Sequence, residues 1–366
     1  MHTPTAHVDI VFAPDTVADR RTVADLIDRA LHARGLTGDV VFAADAAQFT
    51  AATESAAQRG EFIAIPGDGA EFTAPATGAI RVDLGRAPAD RSAGIRAHIR
   101  ERGLDGLRFA VDSWYHHRLH PATVVPYGDQ HEQHADLRTP DGSGPFPTVA
   151  LFHGGYWRSR WAADLMDALA IDLTARGYLS WNVEYRRPDE YGWVATTHDI
   201  AAAVRALGEI EAADPARIVL AGHSAGAQLA LRAAADAVAE HATVHPILAI
   251  SLAGVLDLRL ADARGLSENA TAGALGGHRS AQPEIYRRSS PIDRLPLGLP
   301  HLVVSAVHDD PNLLEMSREY HSTATTFDDP VTYIEGPGNH FAVIDPTDEL
   351  WSRTAAEIAR ATNHDR

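Results

Sequence analysis

A serine flanked by glycines most constrains the fold of this chain. Residues 222–226 read Gly-His-Ser-Ala-Gly, and they lie between the apolar run 218–220 and the helix-forming stretch 227–239. Small residues around the serine allow a sharp turn from strand to helix that exposes the Ser224 hydroxyl. The pattern therefore predicts a nucleophilic serine on such a turn; the alternative is a serine that only caps a helix.

A second glycine motif lies upstream, at the end of another apolar run. Residues 153–157 read His-Gly-Gly-Tyr-Trp. Paired glycines let the backbone bend so that N–H groups point at one oxyanion, and the N–H after the serine adds another donor. We therefore expect an oxyanion hole at Gly154, Gly155 and Ala225. His153 and the histidine before Ser224 are expected to hold the two turns.

A serine nucleophile needs a base, and the base needs an orienting carboxylate. The chain order serine, acid, histidine leaves three late histidines, His321, His340 and His364. His321 falls inside a predicted helix and His364 in a polar tail. His340 follows the last predicted strand in a loop from which an imidazole can reach the serine, so the sequence favours His340 as the base.

The candidate acids follow the strand predicted at 301–307. Catalytic groups of open α/β sheets gather at the carboxyl ends of strands, and Asp309 and Asp310 lie at this one. Asp309 is preferred because Asp310 precedes Pro311 and can cap the next helix. Asp257, after the preceding strand, is a third candidate for the acid. The alternative interpretation of Asp257 is an ordinary loop residue without a catalytic role.

The charge and residue usage exclude several classes of function. A net charge of −17 disfavours nucleic acid and anionic membranes as partners. The chain has no cysteine and no lysine, which removes disulfides, thiolate metal sites and Schiff-base chemistry. No apolar stretch approaches the ~20 residues of a membrane helix, and the first ten residues do not resemble a signal peptide. We expect a cytoplasmic protein without metal or cofactor.

Strand-like and helix-like runs alternate along the chain and predict two α/β domains. Residues 1–119 predict a small, doubly wound, flavodoxin-like domain without a glycine-rich phosphate motif, with strands at 8–12, 40–42, 62–65 and 80–84 and helices at 22–33, 46–58 and 93–102. Residues 120–366 predict a mostly parallel sheet with helices on both faces, with strands at 148–152, 180–184, 217–222, 247–252, 301–307 and 331–334. Residues 258–295 are expected to form a cap over the site.

The second domain resembles the α/β-hydrolase superfamily, within it the kynurenine formamidase (arylformamidase) and esterase group. The similarity lies in residues 127–140, in the His-Gly-Gly-Tyr-Trp motif, in the His-Asp-Asp-Pro segment 308–311 and in Asn-His-Phe at 339–341. It implies an α/β-hydrolase fold with Asp309 as the acid and His340 as the catalytic histidine. Met316 departs from that group, which often has glutamine there.

The first domain resembles type II dehydroquinases more faintly, through its residues 103–110. Asp83 stands where that family has a catalytic histidine, and 65–67 read Ile-Pro-Gly where it has Asn-Pro-Gly. The resemblance therefore implies a domain without that activity.

These observations predict a serine hydrolase that cleaves an ester, or an activated amide such as N-formylkynurenine. Tyr156 and Trp157 are candidates to hold an aromatic substrate, and core packing is the alternative for both. The competing functions are a general carboxylesterase without formamidase activity, and a non-catalytic ligand-binding protein on the same fold. Self-association into a homo-oligomer is left open.

Overall fold

The computed structural model describes residues 6–68, 70–75, 78–240 and 242–363. The chain divides into two compact units, Met1–Pro121 and Ala122–Arg366, where the sequence predicted a division after residue 119. Across the described residues, no helix is both long enough and apolar enough to cross a membrane.

The first unit is a five-stranded parallel sheet with order β2-β1-β3-β4-β5, the order of flavodoxin-like folds. Its strands are β1 (His7–Phe12), β2 (Thr37–Phe42), β3 (Phe62–Ile65), β4 (Ala79–Asp83) and β5 (Ile95–Arg100). Its helices are α1 (Arg20–Ala33), α2 (Ala46–Arg59) and α3 (Asp105–Leu119).

The helix predicted at 93–102 was wrong, because this segment is β5. Ile95, Ala97 and Ile99 alternate with polar residues, which is the period of a strand, and they pair in parallel with β4. The sequence analysis also missed α3. Leu107, Val111 and Trp114 in that helix are buried and recur at helical spacing, a signal that the sequence already carried.

The second unit is a mostly parallel sheet of eight strands flanked by helices, as the sequence predicted. The strands are β6 (Thr123–Pro126), β7 (His134–Arg138), β8 (Phe146–Phe152), β9 (Leu179–Val183), β10 (Ala213–His223), β11 (Pro246–Leu252), β12 (His301–Ala306) and β13 (Val331–Gly336). Their order is β13-β12-β11-β10-β8-β9-β7-β6, and β7 runs antiparallel to both of its neighbours.

The helices of this unit connect the parallel strands and cover the sheet. They are α4 (Asp167–Ala175), α5 (Pro188–Tyr191), α6 (Trp193–Leu207), α7 (Ala225–Ala239), α8 (Leu258–Ala263), α9 (Leu266–Leu275), α10 (Pro283–Ser289), α11 (Pro311–Thr326) and α12 (Glu349–Thr362). Strands β8, β10, β11 and β12 are buried along most of their length, which is typical of parallel sheets covered on both faces. Because these strands run in parallel, the loops after β8, β10, β12 and β13 meet at one edge.

The segment expected to form a cap contains α8, α9 and α10. Arg158, in the loop after β8, donates a hydrogen bond to the backbone carbonyl of Ser267 at the start of α9. Arg264 donates to Asn312 and Glu315 of α11 at 2.7 Å each. The segment therefore contacts two elements that follow strand ends at the same edge of the sheet. Its role as a cap stays a prediction.

Candidate active site

Ser224 lies on a strained turn between β10 and α7. Its φ of 54° and ψ of −118° are rare for a residue with a side chain. A Cβ at Gly226 would collide with the carbonyl of Phe152, so the turn approaches β8 too closely for a larger residue. Ser224 occupies the N-cap position of α7, but its side chain makes no capping hydrogen bond. The hydroxyl is therefore not used by the helix.

The backbone of the turn is held from two sides. The Ser224 N–H donates to the Leu252 carbonyl at 2.8 Å, and the Ser224 carbonyl accepts from Ala227 at 3.1 Å and Val255 at 3.3 Å. Strand β11 and its loop thus fix the serine from the neighbouring position in the sheet. Only 2% of Ser224 is exposed, and within the described part of the chain its hydroxyl has no protein hydrogen-bond partner.

His340 and Asp309 come together from the loops after β13 and β12. His340 Nδ1 lies 2.9 Å from both carboxylate oxygens of Asp309. The Asp309 side chain is 3% exposed and that of His340 is 26% exposed. Because the carboxylate accepts the Nδ1 proton, the lone pair of His340 is on Nε2, where a base needs it. The His308 N–H donates to the Gly338 carbonyl at 3.0 Å and holds the two loops together.

The two rival acids have other partners. Asp310 caps α11 and accepts from the Asn312 N–H at 2.8 Å. Asp257 caps α8 and accepts from the Arg259 N–H at 2.9 Å. Both side chains do the work of helix N-caps. The structure therefore brings Asp309, and neither rival, to His340.

The two other late histidines do not join this group. His321 lies inside α11, and its ring stacks on Tyr333 with centroids 5.2 Å apart. His364 lies outside the residues that the structure describes.

His223 connects the serine turn to the His340 loop. Its Nε2 lies 3.0 Å from the backbone carbonyl of His340, which accepts its proton, and the two rings are 4.6 Å apart. Burial, with a smaller contribution from the charge of His340, lowers the pKa of His223 well below its usual range. His223 is therefore a neutral donor that fixes the neighbouring His340. The sequence analysis expected it to hold a turn but not to reach His340.

The glycine motif after β8 lies directly against the serine. A Cβ at Gly154 would be 2.9 Å from the Cβ of Ser224 and 2.8 Å from the His223 carbonyl. Gly155 has a φ of 110°, which disfavours other residues. In the described chain, the backbone N–H groups of Gly154, Gly155 and Ala225 have no protein acceptor. Donors without protein partners beside a serine can bind an oxyanion.

The two aromatic candidates have different environments. Tyr156 is partly buried, and burial together with the charges of Asp310 and Asp309 raises its pKa to about 12. Trp157 is 1% exposed, and its indole N–H donates to Gln228 at 3.1 Å. An enclosed indole with a satisfied N–H packs the loop. The structure therefore favours Tyr156 over Trp157 for contact with a substrate.

One group of potential metal ligands occurs in the described residues, and it lies in the first unit. His7, Asp9 and Asp39 bring ligand atoms within 4.8 Å of one another. Arg59 already holds the Asp9 carboxylate with hydrogen bonds of 2.9 and 2.8 Å. An ion would have to displace this arginine, so the cluster is a poor candidate for a metal site.

Residues 149–344 match a protein family described as alpha/beta hydrolase fold. An acetyl-hydrolase from Streptomyces hygroscopicus is 31% identical over 169 residues, which is 40% of this chain and 53% of that protein. The chain thus spans about half the length of this curated relative.

Solved esterases share the fold of the second unit. A bacterial heroin esterase has a TM-score of 0.55 and 23% identity, over 67% of this chain and 83% of its own. Esterase B from Lactobacillus rhamnosis has a TM-score of 0.56 and 18% identity, over 66% and 84%. Identities this low establish the fold alone. The family match covers more than half of the chain, so this protein belongs to the alpha/beta hydrolase fold family.

Proposed function

We propose that this protein is a serine hydrolase that cleaves small acyl esters or activated amides through Ser224, His340 and Asp309. The observation that carries the proposal is the His340–Asp309 pair, with its 2.9 Å contacts, fixed by His223 beside a strained serine turn. Ser224 and His340 are not yet hydrogen-bonded here. In free enzymes such bonds are often long and shorten when the substrate binds.

The chemistry follows from the positions of these groups. His340 Nε2 takes the Ser224 proton as Oγ attacks the carbonyl carbon, and Asp309 stabilises the imidazolium that forms. The N–H groups of Gly154, Gly155 and Ala225 bind the oxyanion. His340 then gives the proton to the leaving alcohol or amine. Water, activated in the same way, hydrolyses the acyl-enzyme and restores the serine. The residues need no cofactor for these steps.

The proposed substrate class is a small acyl group on an alcohol or an arylamine. The acetyl-hydrolase relative and the esterase neighbours favour esters. The motif resemblance to kynurenine formamidases favours an N-formyl arylamine such as N-formylkynurenine. Tyr156, partly buried beside Asp309, is the aromatic side chain placed to contact an aryl group.

A substrate panel tests the proposal. We expect turnover of p-nitrophenyl acetate and butyrate, with a lower rate on p-nitrophenyl octanoate. We also expect cleavage of N-formylkynurenine, as the resemblance to kynurenine formamidases implies. Ester turnover without formamide cleavage would leave a general carboxylesterase, the second candidate. Absence of turnover on all of these substrates, with no labelling of Ser224 by a phosphonate, would leave a non-catalytic binding protein.

We also propose that the first unit has no catalytic role. All groups required by the mechanism lie in the second unit, between Gly154 and His340. In the first unit, Asp83 is bound by Arg81 and His98 and is not open to a substrate.

A further inference from the structure

A cavity in the hydrolase unit lies between α6 and α7, away from Ser224 along α7. It has a volume of about 280 Å³, at the small end of ligand pockets, which are roughly 300–1,000 Å³. Its walls come from the part of α7 beyond Leu229 and from the facing side of α6. Ser224 and the glycine motif are not among its lining residues, so the cavity is separate from the candidate active site.

Most of the cavity wall is apolar. Ile200 and Val204 of α6 face Leu229 of α7, and Val244 closes the end of the groove. Alanines supply much of the remaining wall, and the polar side chains in it are those of Thr197, Arg205, Arg232, Asp236, Glu240 and Thr243. A wall of this composition favours the alkyl part of a ligand.

Arg232 is a mostly buried charged side chain in this wall. Its side chain is 14% exposed and forms an ion pair with Asp236, whose carboxylate lies 3.4 Å from Nε. Nε and Nη1 are enclosed without a hydrogen-bond partner, which leaves Nη2 as the accessible guanidinium nitrogen. The ring of Trp193 lies 6.0 Å from Cζ and attracts the charge, but it does not accept hydrogen bonds from the guanidinium plane.

The carboxylate paired with this arginine, Asp236, also lines the cavity and is shared with a second arginine. Asp236 lies 3.4 Å from Arg232 Nε, but it is closer to Arg294, at 2.8 Å. Two guanidinium groups therefore share one carboxylate. Arg205 and Glu240 line the exposed part of the cavity and offset each other in charge. A local positive excess remains in a chain whose net charge is −17.

We propose that the α6/α7 cavity binds a small apolar carboxylate, whose alkyl chain lies on the apolar wall and whose carboxylate accepts a hydrogen bond from Arg232. A mostly buried arginine that shares its carboxylate with Arg294 is incompletely paired, and a second carboxylate is the partner that its charge and geometry favour. A neutral alcohol lacks the charge, and an alkylammonium has the wrong sign. The proposal does not depend on the hydrolase chemistry at Ser224.

Calorimetric titration with hexanoate tests this site, with 1-hexanol and hexylammonium as control ligands. We expect saturable binding of hexanoate alone. Arg232→Met, which keeps the length of the side chain, should weaken it at least tenfold. Arg205→Met removes an exposed charge from the same cavity and should change the affinity less than about threefold.

A second variant fills the cavity without changing the charged side chains that line it. Ala201 is exposed on α6 and lines the groove, so Ala201→Leu should block the alkyl chain while the helix tolerates it. We expect this variant also to lose hexanoate binding. Absence of saturable binding to wild type, or an affinity unchanged in both Arg232→Met and Ala201→Leu, would overturn the proposal; the second result would place the bound hexanoate elsewhere, for example at Ser224.

Discussion

Both units contain a histidine–aspartate pair, and the two pairs differ in whether the second ring nitrogen of the histidine also makes a hydrogen bond. In the first unit, His98 Nε2 lies 2.6 Å from Asp83, and His98 Nδ1 accepts the N–H of Asp90 at 2.9 Å. Arg81 also binds Asp83, at 2.7 Å. Both ring nitrogens of His98 are used, and its side chain is 6% exposed.

The pair in the second unit uses only one nitrogen of its histidine. His340 Nδ1 binds Asp309, while within the described chain Nε2 has no protein hydrogen bond.

In the first unit, burial raises the pKa of Asp83, but hydrogen bonds from His98 and Arg81 outweigh burial and lower this pKa. The first pair is thus a satisfied structural network. A histidine–aspartate pair can act as a base only where the fold leaves the second nitrogen open beside a nucleophile.

Ser224→Ala should have the largest effect, because it removes the proposed nucleophile, whose proton His340 is proposed to accept. We expect kcat on p-nitrophenyl acetate to fall ~10⁴–10⁶-fold, since loss of a triad serine typically costs this much. Circular dichroism should show an unchanged fold. Turnover above a few per cent of wild type would disprove the mechanism.

His340→Ala and His98→Ala compare the two pairs directly. We expect kcat to fall about 10⁴-fold in His340→Ala, because the proposed base is lost. His98→Ala should leave kcat within about threefold of wild type, because the two hydrogen bonds that it loses both lie in the first unit. His321→Ala is a control within the second unit and should be close to neutral. Equal losses at His340 and His98 would give the first unit a catalytic role and contradict our proposal.

Asp309→Asn should reduce kcat by about 10²–10⁴-fold, because asparagine cannot stabilise the imidazolium and favours the wrong tautomer. The matched control is Asp310→Asn. Asparagine caps a helix about as well as aspartate, so this variant should retain most activity. Kinetics of both variants decide the assignment, and comparable losses would show that the two carboxylates share the role.

His223→Leu should lower kcat about 10–100-fold, because the donor that fixes the His340 backbone is lost and small displacements of a catalytic group are costly. His223→Gln keeps a side-chain N–H and should recover much of the activity. KM for a small ester should change little in either variant. A loss that appears in KM rather than in kcat would show that His223 shapes the substrate pocket instead.

The buried His223 also predicts a small dependence of stability on pH. Because its pKa is lowered on folding, the unfolded chain takes up a proton below about pH 6.5 while the folded chain does not. The contribution of the neutral His223 to the free energy of unfolding is therefore complete above that pH. It decreases as the pH falls, by at most ~1.4 kcal/mol per pH unit for one group. Urea unfolding of the second unit at pH 7.5 and 5.5 should show a smaller decrease in His223→Gln than in wild type.

Local sequence predicted the six parallel strands of the second unit and the residues of its candidate site. The glycines around Ser224, the paired glycines after β8 and the late histidine are each a short pattern with one physical reason, and the structure places them where strand ends meet. The preference for Asp309 over Asp310 rested on the proline after Asp310, and in the structure Asp310 caps the helix that begins there.

Only the tertiary structure decided how these groups support one another. His223 and His340 are separated by 117 positions, so no local pattern predicts that one donates to the backbone of the other. The difference in burial likewise distinguished the environments of Trp157 and Tyr156, which are adjacent in the same motif. In the first unit, the local pattern predicted a helix at 93–102, and the parallel pairing with β4 established the strand β5 there. Hydrophobic patterns act over a few residues, whereas contacts between loops depend on the order of the strands in the sheet.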